Sequence, residues 1–333
     1  MTTNKTTTRK EKTEDSYRRR AKQIATAASK KAKRPLSPTE LAQTMVARRP
    51  QLAAASFRQN RAAVTFMLNE VALNQPALDP QTRAAIAILK DVESVERPDD
   101  GVPHTSAQKQ KRLDDDLDRI CHGALATTSP NASALVDCLT VGSLTGARLV
   151  EWPTAKFGPS SDPDYAWQLT LVNGKHSNGR AHGETRVLRW EWLPEDLVAQ
   201  TKAWIFAARE AAANGCYDTL ISTLESLMRR VTKQLFPRRQ RRPTLSSARH
   251  AATARWKMNY VVSARSPEDK ELGLAIVAAL LGHATDETAT RHYARAGEAG
   301  GRFPTPTPAP EEVARVRKRY RAPMSVKCEE WKP

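Results

Sequence analysis

The chain has few cysteines, and spacing pairs none of them. Cys121, Cys138, Cys216 and Cys328 stand far apart with no Cys-x-x-Cys, which argues against structural zinc and for a reducing, cytoplasmic setting. Long apolar runs are missing too. The longest, Leu272 to Leu281, is far too short to span a bilayer, so no membrane partner is expected. Met1 to Ser16 lacks the apolar core of a signal peptide. Acids are in deficit: 36 Asp and Glu face 53 Lys and Arg, leaving a net charge of +17 over 333 residues. Such a chain expects a polyanion, nucleic acid before an anionic membrane surface. No cluster of metal-ligand residues is visible, so neither metal nor cofactor is expected.

What is present divides the chain. Residues 1–14 are Thr-rich and basic and are expected to be disordered, and Ser16 to Ala32 could become a helix on DNA. Ser37-Pro38-Thr39-Glu40 is a capping box with proline at the first helical position. Phe57 to Leu73 and Pro80 to Val95 carry apolar residues at helical spacing. Residues 15–96 therefore read as a helical DNA-binding domain, with Arg48, Arg49, Arg58 and Arg61 left over for phosphate contacts. Residues 97–104, rich in Pro and Gly, read as a linker.

From Thr105 helices resume, one of them running from Ser129 towards Gly146. The period then changes. Tyr165 to Val172 alternates apolar and polar residues, Asn173-Gly174 signals a turn, and Thr185 to Trp190 reads as a second strand. Helices are predicted again over Pro194 to Ala213, Thr219 to Phe236, Ser246 to Val262 and Leu272 to Leu281. The fold class is mainly α with a small antiparallel β-sheet, an α+β catalytic domain over 105–300. Residues 301–333 read as a Pro-rich spacer and a basic C-terminal helix.

Several cationic positions stand out in order. Thr145-Gly146-Ala147-Arg148-Leu149-Val150-Glu151 comes first, then Lys175 at the hairpin. Arg238, Arg239, Arg241 and Arg242 precede Ser246-Ser247-Ala248-Arg249-His250, and Leu281-Gly282-His283 leads to Tyr293, flanked by Arg291, His292 and Arg295. This order of Arg, Lys, Arg, His and Tyr resembles the tyrosine recombinase (phage integrase) family over about residues 105 to 295.

The resemblance implies a two-domain DNA clamp that cuts and rejoins duplex DNA without metal or ATP. Arg148 and Arg249 would neutralise the scissile phosphate through bidentate guanidinium contacts, and His283 would hydrogen-bond it. Lys175 would protonate the departing 5′ oxygen, with Lys156 as the alternative. Tyr293 would attack, leaving a 3′-phosphotyrosine, and Glu151 would orient Arg148 from the same helix. The run Arg238 to Arg242 would contact DNA phosphates. Four protomers would assemble on DNA, and the last helix would dock on a neighbouring protomer.

Two departures mark this chain. Ser246 stands where the family usually has a histidine, and a hydroxyl cannot accept a proton at neutral pH. His283 and Tyr293 are ten residues apart, where nine is commoner. Two rival readings follow: a type IB topoisomerase, which shares the chemistry and lacks that histidine, and a catalytically silent DNA-binding accessory protein of a mobile element.

Overall fold

Amphipathic helices account for most of the chain, and they sort into two units, Met1–Ser106 and Ala107–Pro333. The computed structural model describes residues 11–91, 113–174, 181–284 and 303–316. The linker read at 97–104 lies outside them.

The first unit holds α1 (Glu11–Ala32), α2 (Pro38–Ala47), α3 (Ala54–Asn74) and α4 (Asp79–Asp91). Ser37 caps α2: its Oγ accepts from Glu40 N, and the Glu40 carboxylate returns to Ser37 N at 2.8 Å. The apolar stripes of these helices meet in one core of Leu41, Met45, Phe57, Val64, Leu68 and Leu89. The disorder expected over 1–14 is corrected from Glu11 onward, where α1 has already begun. Its anchors are on α3: Tyr17 packs against Phe66 at 5.8 Å, and Arg18 Nε donates to Glu70 at 2.9 Å. These contacts to α3 supply what helical propensity alone does not.

The second unit contains α5 (Asp114–Leu125), α6 (Ala132–Thr145), α7 (Glu195–Ala213), α8 (Tyr217–Leu235), α9 (Ser247–Lys257) and α10 (Pro267–Leu280). Between α6 and α7 come β1 (Lys156–Pro159), β2 (Trp167–Val172) and β3 (Thr185–Trp190). With β4 (Thr307–Pro308) they form an antiparallel sheet in the order β1-β2-β3-β4. Trp152, Trp190, Trp204 and Trp256 are fully buried in the core between sheet and helices.

Two predicted elements differ. The helix expected over Ser246 to Val262 stops at Lys257 and widens into a π turn, Met258–Val262. In α10 the helix starts earlier than Leu272, at Pro267, because Ser266 caps it by accepting from Asp269 N at 3.0 Å.

The C-terminal segment 303–316 is no free spacer. Thr307 and Pro308 pair with Arg189 and Leu188 of β3. Phe303 is buried, Trp190 Nε1 donates to Pro304 O at 3.3 Å, and Tyr260 Oη donates to Pro306 O at 2.9 Å. The helix that follows presses Val313 and Val316 onto Ala275, Ala278 and Ala279 of α10. Over these residues the segment lies on the chain's own sheet, because alternating Pro residues favour an extended strand and leave its carbonyls free to accept.

Glu312 extends that pairing with a side chain: its Oε1 accepts from Val187 N at 3.0 Å, in line with the β3–β4 ladder. The residue is buried, and Oε2 has no hydrogen-bond partner among the described residues. Burial pushes its carboxyl up to about 7, against the opposing pull of Val187 N–H, Arg315 at 4.0 Å and Arg186, with Glu311 reinforcing the rise. The folded state therefore binds this proton more tightly than the unfolded chain. Stability falls as pH rises from 4.5, the ordinary value, to about 7, and the penalty is complete above that. Glu312→Gln keeps an acceptor for Val187 and removes the charge. The variant is expected to melt above wild type at pH 8, by at most roughly 3 kcal/mol at about 1.4 kcal/mol per pKa unit, and the gap should close towards pH 4.5. Thermal melts at pH 5 and pH 8 check this, and a gap independent of pH would contradict it.

Candidate functional site

Helix α6 ends where the Thr-Gly-x-Arg segment begins. Thr145 is its last residue, its Oγ1 returning to Val141 O at 2.7 Å, and Gly146 follows with φ 59°. Only glycine fits there, since an added Cβ would lie 2.6 Å from the Trp256 ring. Arg148 then caps a 3-10 turn, Leu149–Thr154. The helix expected to carry both Arg148 and Glu151 is corrected: Thr145-Gly146 is a helix stop, and the two share a short turn.

Within that turn Glu151 is the organising group. Arg148 N donates to its Oε2 and Arg148 Nη1 to its Oε1, both at 2.7 Å. Arg186, fully buried on β3, donates Nη2 to Oε2 at 2.6 Å and Nη1 to Oε1 at 3.1 Å. Gly174 N, at the hairpin base, donates to Oε1 at 3.1 Å. Burial alone would raise the Glu151 carboxyl, but Arg186, Arg249 and Arg148 together hold it well below its ordinary value. The Arg148 guanidinium is pulled down to about 10, by burial first and by Arg249 second.

Arg249, on the first turns of α9, is buried and reaches two other segments. Nη1 donates to Gly146 O, Nη2 to Leu281 O at 2.8 Å, and Nη2 also stands 3.4 Å from His283 Nε2. Helix α10 delivers that histidine by stopping sharply: Gly282 takes φ 68° and His283 N donates back to Ala278 O at 2.8 Å. Arg148, Arg249 and His283 are thus gathered from three distant stretches of sequence.

Gly282 also permits a close approach. A Cβ there would lie 2.0 Å from Asn173 Oδ1 and 3.1 Å from Arg186 Nη1. Gly282→Ala combines that clash with a left-handed backbone, and we expect it to cost roughly 2–5 kcal/mol in urea denaturation. A variant as stable as wild type would mean that the approach relaxes freely.

The other sequence-predicted positions fall as follows. Lys175 and Tyr293 lie outside the described residues, as does Tyr320. Ser246 is exposed ahead of α9, its Oγ 3.0 Å from Thr244 Oγ1, and makes no side-chain cap to that helix, while Ser247 Oγ accepts from Thr244 N at 2.9 Å. Ser246 also lines a cavity of about 270 Å³ with Arg229 and Arg242. Arg238 and Arg241 are exposed. Arg239 pairs with Asp116 and lies 4.0 Å over the Phe236 ring, and Arg242 Nε donates to Phe236 O at 3.0 Å, so these two also brace their own loop. In the first unit, Arg58 and Arg61 line a groove with Asn69 and Lys90. Arg49 instead covers the Phe57 ring at 5.2 Å.

Arg186 escaped the sequence reading, as did Asn173 except as a turn residue. The signal was there: Arg186 is in phase with Leu188 and Trp190 on β3, so the strand's alternation points it inward. Among the described residues no helix is long and apolar enough to cross a membrane. Searched against protein-family models and against curated proteins, the chain matches none.

Proposed function

We propose that the chain is a tyrosine-type DNA strand transferase, a site-specific recombinase. The observation that supports this reading is the convergence of Arg148, Arg249 and His283, brought together through Glu151, Gly146 and Leu281. Two guanidiniums beside an imidazole suit a phosphodiester, whose nonbridging oxygens gain charge as a fifth ligand enters. In this reading Tyr293, its phenolic proton lost to solvent, attacks the phosphorus as a phenolate, and the bond to the 5′ oxygen breaks. Lys175 gives that oxygen its proton, leaving a 3′-phosphotyrosine and a free 5′ hydroxyl. The reverse attack by a 5′ hydroxyl rejoins the strand without ATP. Two duplex sites and four protomers complete an exchange.

The second reading, a catalytically silent DNA-binding protein, is favoured by Ser246, whose hydroxyl offers no base where the resemblance expects a histidine. Nicked duplexes carrying candidate sites separate the two. Once the strand is cut, the short 5′ end diffuses away, so a covalent protein–DNA adduct should accumulate, and it should do so in excess chelator. Duplex binding with no adduct on any nicked substrate would overturn the enzymatic reading in favour of the silent one.

A further inference from the structure

We infer that Asn173 and Arg186 are positioning residues that tie the hairpin leading to Lys175 to Arg148 and to the Gly282–His283 turn. The inference rests on the recombinase reading for the role of Lys175, and on the described residues for everything else.

The geometry is that of a shared clamp. Asn173 is buried and uses both ends of its amide: Nδ2 donates to Gly183 O at 3.0 Å, closing the hairpin across its base, and Oδ1 accepts from Arg186 Nη1 at 2.6 Å. Arg186 hands that link to both oxygens of Glu151, the carboxylate that also holds the Arg148 guanidinium. Ahead of β3, buried His182 Nε2 lies 3.1 Å from Ala279 O, one residue before the end of α10. Gly282 closes the circuit, because the absence of its Cβ is what lets Asn173 Oδ1 sit against the turn that carries His283.

A buried ion pair is a costly way to gain stability, and apolar residues of similar volume often do better. Its merit here is directional. The Arg186 fork meets two acceptors from two segments at fixed angles, so moving the hairpin base means breaking a bond to the group that orients Arg148. Lys175 follows Asn173 by two residues in sequence. In the recombinase reading one network thus braces both the hairpin base that precedes the proton donor and Arg148, one of the phosphate cations.

The test asks which chemical step each residue serves. In a nicked duplex with sulfur replacing the bridging 5′ oxygen, the leaving thiolate needs no proton, because a thiol is far more acidic than an alcohol. Asn173→Ala should slow cleavage of the ordinary duplex roughly tenfold or more, as expected for a misplaced general acid, and should leave cleavage of the sulfur duplex nearly unchanged. Asn173→Asp keeps an acceptor for Arg186 but loses the donor to Gly183, and should show a smaller defect of the same kind. Arg186→Met, acting through Glu151 and Arg148, should slow both duplexes alike. If Asn173→Ala slows both equally, or neither, the positioning role is overturned.

Amide hydrogen exchange gives a readout without DNA. Asn173→Ala should lose protection at Gly174 and at 181–183, and also at 281–283, while α7 and α8 keep theirs. Loosening confined to the hairpin would overturn the coupling. If wild type forms no adduct on either duplex, the recombinase reading fails, and the exchange pattern still decides whether the clamp exists.

Discussion

Tyr293→Phe is expected to abolish the covalent protein–DNA adduct while leaving duplex affinity within a few-fold of wild type. The change removes one oxygen, the proposed nucleophile. Arg291, His292 and Arg295 adjoin Tyr293 in sequence, and a net charge of +17 would spread binding over many phosphates, so one lost hydroxyl should cost little affinity. Denaturing electrophoresis reads the adduct, and a salt titration of duplex binding reads affinity. Tyr260 and Tyr217 are poor substitutes on structural grounds. The Tyr260 hydroxyl is spent on Pro306 O and the Tyr217 hydroxyl on Leu149 O, and burial raises both phenols above their ordinary value. An adduct that persists in Tyr293→Phe and disappears in Tyr320→Phe would reassign the nucleophile.

Replacing Arg148 or Arg249 by Lys should slow adduct formation on the order of 10²–10³-fold, the usual loss for one transition-state donor. The structure adds a reason specific to each. Arg249 spans Gly146 O and Leu281 O with separate nitrogens, and a single ammonium cannot hold both carbonyls while still facing a phosphate. Arg148 commits Nη1 to Glu151, and under the proposed reading the rest of its fork would meet the phosphate; a lysine drawn to Glu151 would have nothing left over of fixed direction. Single-turnover cleavage with protein in excess separates this effect from weakened binding. Rates within a few-fold of wild type for both variants would remove these arginines from the site.

Elements whose signals are local were legible in the sequence. The capping box at Ser37 and Glu40 is a short-range hydrogen-bond exchange, and β2 and β3 alternate cleanly because one face of the sheet is buried. What escaped depends on distant partners. Strand β1 (Lys156–Pro159) has only four residues and a Gly-Pro ending, so its alternation was too short to register. Strand β4 is hidden by its prolines, which carry no β signal and pair only because β3 presents an open edge. The resemblance puts Arg148 and Glu151 on one helix; the turn made by Gly146 against Trp256 is a packing fact that no local pattern encodes. Arg186 carries no local mark among so many cations, although its register opposite Leu171 places it inside.

The proline-studded edge has a consequence for how the molecule keeps to itself. Strand β3 donates and accepts along the side that β4 covers, and an uncovered strand of that kind is a template for another chain. Pro306 and Pro308 have no N–H to offer, so once the segment is laid down nothing further can be added in register on its outer side. A chain cut at Arg302 would lose that cover along with Phe303 and Glu312. Gel filtration of such a truncation should show self-associated material where the full chain is dispersed, because a bare strand edge would meet its own copies.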